Sequence, residues 1–451
     1  MNEFPQQKRG SALLELLRTS LPAAIDLSIQ PLIWTYEAIW IGRLGIAALG
    51  GHGLAVQVII VVFTVMLTFV VGSSLIINRH LGRGNSWEAN HILGQSMMLG
   101  IIMALASVAL FYFGAPLFFK IIKEAEPAAR VAGIQYLRTL GYFMPFIMTN
   151  FIALGIIRGV GDSHYSMMIN IVLSSINLVI APMLIFGTPP FPRLEITGAA
   201  VAAGIAHTIG LIATIILLRS RKCKLFLSMR EMTTPNWKSI KLLFNRGLPT
   251  TVELLAVALG QLVVSIWVAR IGVVALATHQ ILLRLQAVMS MIYQGFGLSS
   301  MALVGKKVGA DEHLLAERTG KIAGGTVLFI VLVMVAVVTA NSDLILKAFT
   351  PDPAIWELGS VVIVIFALVQ IPKALNTVLT GNLRGAGELK FLMWTMLAAV
   401  LIFEITTSAV VIFVFHFALT AVWLVHGSNE SIRLLCNYLR FRNGKWKLHD
   451  A

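Results

Sequence analysis

Charge is scarce in this sequence. Asp, Glu, Lys and Arg make up 12% of the 451 residues against 57% hydrophobic ones, too little polar material to cover a soluble fold of that size. Cysteine is scarcer still. Cys223 and Cys436 are the only two, and both fall on the side assigned below to the cytoplasm, so two inert thiols are expected rather than a disulfide framework. A Walker motif, a metal-spaced set of His or Cys and a nucleophile motif are all missing, which speaks against an ATP-driven pump or an intramembrane enzyme. No cofactor is implied. A cleaved signal peptide is not visible either, because MNEFPQQKRGSALLELLRTS carries Glu15 and Arg18 where an apolar stretch belongs. That segment reads as an interfacial helix leading into the first span.

Long apolar runs fill the rest. About twelve are long enough to cross a bilayer, roughly 20 residues each: 18–42, 52–78, 91–119, 133–157, 164–187, 196–218, 241–269, 278–304, 319–341, 355–381, 391–415 and 417–439. Little of the chain alternates with the period of a strand, so helices rather than a barrel satisfy the backbone in lipid. The expected fold is therefore an all-α integral membrane protein. Its formal net charge of +14 would indicate a nucleic-acid partner in a soluble protein. Here Arg79, Arg83, Arg158, the run from Arg219 to Arg246, Lys306, Lys307, Arg384, Lys390 and the C-terminal cations all fall on one side of the membrane. The positive-inside rule makes that side cytoplasmic, with both termini inside and no nucleic-acid partner. Lys120, Lys123 and Arg130 on the opposite side are offset in part by Glu124 and Glu126.

The chain repeats itself. RLGIAALGGH at Arg43–His52 returns as RIGVVALATH at Arg270–His279. Without a gap, Leu21-Pro22 lies over Leu248-Pro249, Asp26 over Glu253, Ile39-Trp40 over Ile266-Trp267, Phe69 over Phe296, Ser73 over Ser300 and Gly82 over Gly309. RGVGD at Arg158–Asp162 matches RGAGE at Arg384–Glu388 with one residue fewer. Copies that begin at spans one and seven share one orientation, which implies two six-helix lobes about a pseudo-two-fold axis along the membrane normal, with substrate handled at their interface. The expected division is an N-terminal lobe over 1–218, a basic cytoplasmic linker over 219–240 and a C-terminal lobe over 241–451.

The residues then resemble a known family. Leu21-Pro22 with Glu37 and IGRLG in span one, THQILLRLQAVMSMIYQGFGLSSMALVGKKVGA at Thr278–Ala310, RGVGDS, NLVIAPMLIFG at Asn177–Gly187, ITGAAVAAG at Ile196–Gly204 and LRGAGE are similar, over nearly the whole chain, to the multidrug and toxic compound extrusion (MATE) family. The resemblance implies a secondary antiporter of the bacterial inner membrane. It would export organic, often cationic or amphipathic compounds by alternating access, in exchange for protons or sodium. Small organic molecules and membrane lipids are the implied partners of a monomer. The alternative is a lipid-linked oligosaccharide flippase of the same superfamily, which usually adds spans or a cavity dense in Arg and Lys.

Acids inside spans mark the coupling candidates, because a carboxylate at bilayer depth costs several kcal/mol unless it is paired, hydrated or protonated. Asp26 and Glu37 share span one. Eleven residues bring them to within about 20° of one face and about 16 Å apart, so both can line one polar track. By the resemblance, Glu37 stands where bacterial members commonly have an Asp and becomes the cation-coupling acid, the competing reading being a wet residue near the outer helix end. Asp26 either joins it or pairs with Arg18 or a loop cation. Glu253 in span seven lies one turn before the family's position, here Val257, and either couples cations or is neutralised by Arg246. Archaeal-like and related branches of the family place an Asp in the span-five motif where this chain has Ala181, while Asn177 is retained. That departure favours a proton on Glu37 with Asn177 as hydrogen-bonding neighbour over a four-ligand sodium site. Arg284 and Lys373 in spans eight and ten either pair with Glu253 or another acid, or contact the substrate. Arg158, Asp162, Arg384 and Glu388 at the RG-x-G turns read as gating or loop residues, the acids bonding an Arg or capping the next helix. His52 and His279 read as packing or interfacial residues. No metal site is expected.

Overall fold

The computed structural model describes residues 9–121, 127–349, 352–415 and 418–448. Lys8, Lys123, Glu124 and Glu126 lie outside the described residues. Among those described there is no strand, and twelve long helices carry the chain. They are α1 (Arg9–Gly42), α2 (Ile46–Gly82), α3 (Ser86–Ala109, continued through a wide turn over Leu110–Gly114 into Ala115–Ile121), α4 (Pro127–Gly159), α5 (Ser163–Phe186) and α6 (Ile196–Arg219). The second half supplies α7 (Trp237–Ile271), α8 (Val273–Gly309), α9 (His313–Ala340), α10 (Pro353–Gly385), α11 (Leu389–Leu397, through a wide turn over Ala398–Glu404 into Ile405–Phe413) and α12 (Leu419–Arg442). Each contains or overlaps one expected span. Ten are long and apolar enough on their own to cross a membrane. The other two are α1, with Glu15, Arg18, Asp26 and Glu37, and α12, with Glu430, Arg433, Arg440 and Arg442. The protein is a multi-pass, all-α membrane protein of about twelve transmembrane helices.

One detail differs from expectation. The N-terminal segment is not a separate interfacial helix, because α1 runs unbroken from Arg9 into the first span. Pro22 leaves one backbone bond unmade between Arg18 and Asp26, yet the helix continues through it.

The repeated motifs are where helices stop. Gly45 between α1 and α2 has φ 128°, and Gly272 between α7 and α8 has φ 148°, a backbone region that side chains disfavour. This is why RLG and RIG recur. In RG-x-G the two glycines do different work. A Cβ on Gly159 would collide with Ser74, and one on Gly385 would sit 2.5 Å from the Met301 carbonyl oxygen, whereas Gly161 (φ 85°) and Gly387 (φ 91°) make the turns. Other starts rely on caps: the Asn85 side chain accepts from Glu88 N–H at 3.2 Å, and Asp352 accepts from Ala354 N–H at 3.0 Å with Pro353 opening the helix.

The helices gather into two compact units. The N-terminal unit is Ile25–Leu248; the C-terminal unit is the described part of Met1–Ala24 with Pro249–Ala451. In the first, α4 is the hub, packed by α2, α3, α5 and α6; in the second, α10 is the hub, packed by α8, α9 and α12. The fourth helix of each half thus takes the centre. Residues 219–240 fold onto α3, where Gln95 Nε2 donates to the Glu231 and Thr234 carbonyls at 2.8 Å each and His91 bonds the Glu231 carboxylate. Leu32, Phe113, Phe329 and Ile402 are among many large apolar side chains left exposed, the surface a lipid solvent requires.

Candidate functional site

In the N-terminal unit, α1 is fastened to α5 by its two acids. Asp26 accepts from Arg158 Nη1 at 2.8 Å, from Ser166 Oγ at 2.5 Å and from Asn170 Nδ2. Its partner is therefore the Arg of RGVGD and not Arg18 or a loop cation. Two turns along, Asn177 Nδ2 donates to Glu37 Oε1 at 2.8 Å. Asn170 and Asn177 are seven residues apart on α5, and the eleven-residue step from Asp26 to Glu37 on α1 keeps both acids facing it.

The two acids differ in charge balance. Asp26 faces a guanidinium, while Glu37, only 2% exposed, has no Lys or Arg partner among the described residues. It is not a wet helix end. The second Glu37 oxygen lies 3.9 Å from His52 Nε2, and the His52 ring meets the Tyr136 ring edge-on at 4.9 Å. His52 is thus a neighbour of the acid as well as a packing residue. His52 Nε2 and Asn177 Oδ1 are buried without a hydrogen-bond partner. A carboxyl and an imidazole in an apolar setting can each bind a proton, while the amide holds the carboxyl in place.

In the C-terminal unit the repeat reproduces the first ion pair. Arg384 Nη2 lies 2.7 Å from Glu253 Oε2, so Glu253 is neutralised by the Arg of RGAGE and not by Arg246. Lys373 pairs with Glu430 on α12 at 3.1 Å rather than with Glu253. Arg284 is exposed and makes no ion pair among the described residues. The turn acids bond cations and cap nothing: Asp162 Oδ1 lies 2.9 Å from Lys224 Nζ, and both Glu388 oxygens accept from Arg440 at 2.9–3.0 Å. Both cysteines are free.

The MatE family model matches residues 22–183 and again 249–410, one match for each copy of the repeat. The chain belongs to the MatE family. Its relatives in that family include a probable multidrug resistance protein NorM of Thermotoga maritima, 26% identical over 452 residues, covering 99% of this chain and 96% of that one. Another is an uncharacterized transporter, YisQ, of Bacillus subtilis, 24% identical with 98% and 96% covered. Among solved structures, an outward-facing multidrug resistance MATE transporter of the MOP superfamily superposes with a TM-score of 0.87 at 20% identity, covering 98% of both chains. A MATE in a bent conformation gives 0.88 at 20% identity and 96% coverage. These structures establish the fold that this MatE chain shares.

Sequence motifs do not mark a further buried polar cluster of this MatE protein. Glu404, His426 and Glu430, with Asn376, Asn429 and Asn437, sit buried or half-buried on α10, α11 and α12. Glu404 and Glu430 were visible as acids within apolar runs, the same signal that singled out Glu37.

Proposed function

We propose that this MatE protein is a secondary antiporter that exports organic, cationic or amphipathic small molecules by alternating access, taking protons in return through Glu37. The observation that carries the reading is a buried carboxyl in a membrane span with an amide and an imidazole as its polar neighbours and no cation to hold its charge. A permanent ion pair such as Asp26–Arg158 has no such freedom to load and unload a proton. Ala181, an alanine in the span-five motif, removes the acid that a multidentate sodium site needs, which favours the proton over sodium. On this reading the monomer lies in the bacterial inner membrane with both termini in the cytoplasm, and residues 219–240 join the two lobes on that side.

The test is efflux of a preloaded cationic dye from pump-deficient bacterial cells, comparing wild type with Glu37→Gln at equal membrane expression, with and without sodium. Efflux lost in the variant and insensitive to sodium is the expected result. Equal efflux in both removes Glu37 from the mechanism. An absence of wild-type efflux for every dye favours the lipid-linked oligosaccharide flippase.

A further inference from the structure

Glu404 closes the wide turn of α11, and both of its oxygens are engaged. Oε1 lies 2.6 Å from His426 Nδ1, and Oε2 accepts from Asn429 Nδ2 at 2.6 Å. The other ring nitrogen, His426 Nε2, lies 3.3 Å from Lys373 Nζ. An ammonium group only donates. Nε2 therefore accepts, the imidazole is neutral, and its one proton sits on Nδ1, donated to the Glu404 carboxylate. A further proton upsets this arrangement wherever it lands. On Nε2 it sets an imidazolium N–H against the ammonium of Lys373; on Glu404 it sets two donors against each other. Lys373 already bonds Glu430 at 3.1 Å, so it can leave His426 without losing its counter-charge.

Among the described residues, the other ionisable groups around His426 are His279 from α8, and Glu430 with its partner Arg433 on α12. Val264, His279, Glu404, Trp423 and His426 line a cavity with room of about 20 Å³, enough for one water molecule. His279 Nδ1 and Trp423 Nε1 are buried in its wall with no hydrogen-bond partner. The place is small and mostly apolar, and an acid and two imidazoles border it.

The repeat says what this place is. At the spacing that carries His52 to His279, Glu37 falls on Val264 and Asn177 falls on Glu404. The one residue by which RGAGE had slipped is taken up by the wide turn over Ala398–Glu404, since such a turn holds one more residue than an α-helical one. Both units therefore set a histidine from their second helix beside an acid, but the acid has moved from the first helix to the fifth.

We propose that Glu404 and His426 form a second proton-binding site, in the C-terminal unit, where an arriving proton releases Lys373 from His426 while its pair with Glu430 is kept. The site goes beyond the antiport reading built on Glu37 and does not require it. The Trp423 ring stands edge-on to the His426 ring at 5.5 Å, which gives a direct readout, because an imidazolium quenches a neighbouring indole and a neutral imidazole does so far less. The experiment is tryptophan emission of the purified full-length protein in lipid nanodiscs, titrated from about pH 8.5 to pH 5, the window in which imidazoles change charge. Wild type, Glu37→Gln, Trp423→Phe, His426→Gln and Glu404→Gln are compared, with elution volume checking folding.

The expected result is a quench at falling pH in wild type and in Glu37→Gln. It is absent in Trp423→Phe and His426→Gln, and displaced by at least one pH unit in the near-isosteric Glu404→Gln. An unchanged titration in His426→Gln and Glu404→Gln, or none in wild type, overturns the proposal. Dye efflux in Glu37→Gln reports separately on the first site, so the two readings fail independently.

Discussion

Replacing Arg158 with Met strands a carboxylate. Asp26 has a fully buried side chain, and that of Arg158 is 11% exposed, so solvent screens the pair little. Ser166 and Asn170 would still donate to Asp26, yet neither supplies charge. Removing one partner of such a buried pair costs about 3–5 kcal/mol, because the charge left behind is uncompensated. For a folding unit of about 200 residues, each kcal/mol lowers the unfolding midpoint by roughly 2–3 °C. Arg158→Met is therefore expected to unfold at least about 6 °C below wild type. Asp26→Asn strands the guanidinium in the same way. The double variant strands nothing, and its amide oxygen can still accept from Ser166. Its loss should fall short of the sum of the single losses by about 2–3 kcal/mol, the coupling usual for residues in one network. The assay is thermal unfolding of all four proteins, purified in one detergent and followed by intrinsic fluorescence. Additive losses, or a shift below about 2 °C for Arg158→Met, would refute the account of RGVGD as the clamp on α1. The Glu253–Arg384 pair, with exposures of 6% and 19% and without the Ser166 and Asn170 donors, should show the same coupling at smaller size.

Gly385→Ala places a Cβ 2.5 Å from the Met301 carbonyl oxygen, where only backbone movement relieves the clash; a loss of about 1–3 kcal/mol is expected, read by the same unfolding assay, and a midpoint within 1 °C of wild type would contradict the packing role of the first glycine in RG-x-G. Cys223, in the loop after α6, has its thiol pushed up by burial and further by the nearby Asp162 carboxylate. The thiolate is the reacting form, so maleimide labelling at pH 7 should be slower than for an unfolded control. Its rate should keep climbing above about pH 8.5, where an ordinary thiol begins to level off. A profile matching the control would show that the thiol is neither buried nor raised.

Much of the fold could be read in advance because lipid leaves few choices. A run such as Val58–Val71 has one way to satisfy its backbone, and twelve such runs give the helices before any contact is known. The repeat was equally legible, since Gly45 and Gly272 answer to backbone geometry and tolerate little drift. Pairing partners were not. From Asp26 the sequence offers Arg18 eight residues away, and nothing local points to Arg158. The choice is made by how α1, α4 and α5 pack within the N-terminal unit. The same holds for Lys373, whose acid arrives from α12. Glu404 and Glu430 could have been found by treating every acid in an apolar run alike; following family motifs drew attention to positions where this chain carries Val257 and Ala181.

The two halves have kept what holds the backbone and altered what faces the polar interior. Gly45 and Gly272, Gly161 and Gly387, and the two Arg-to-acid clamps repeat at matching positions, whereas Glu37 corresponds in sequence to Val264 and Asn177 to Glu404. Helix-breaking glycines and buried ion pairs are costly to change singly, because each substitution strains a turn or strands a charge. An isolated acid bonded to one amide can be lost from one helix and gained on another while the histidine beside it stays. The N-terminal site then rests on an acid with no cation near it, and the C-terminal site on an acid tied through His426 to Lys373. The Asp26–Arg158 and Glu253–Arg384 clamps, each satisfied within its own unit, belong to the frame of that unit.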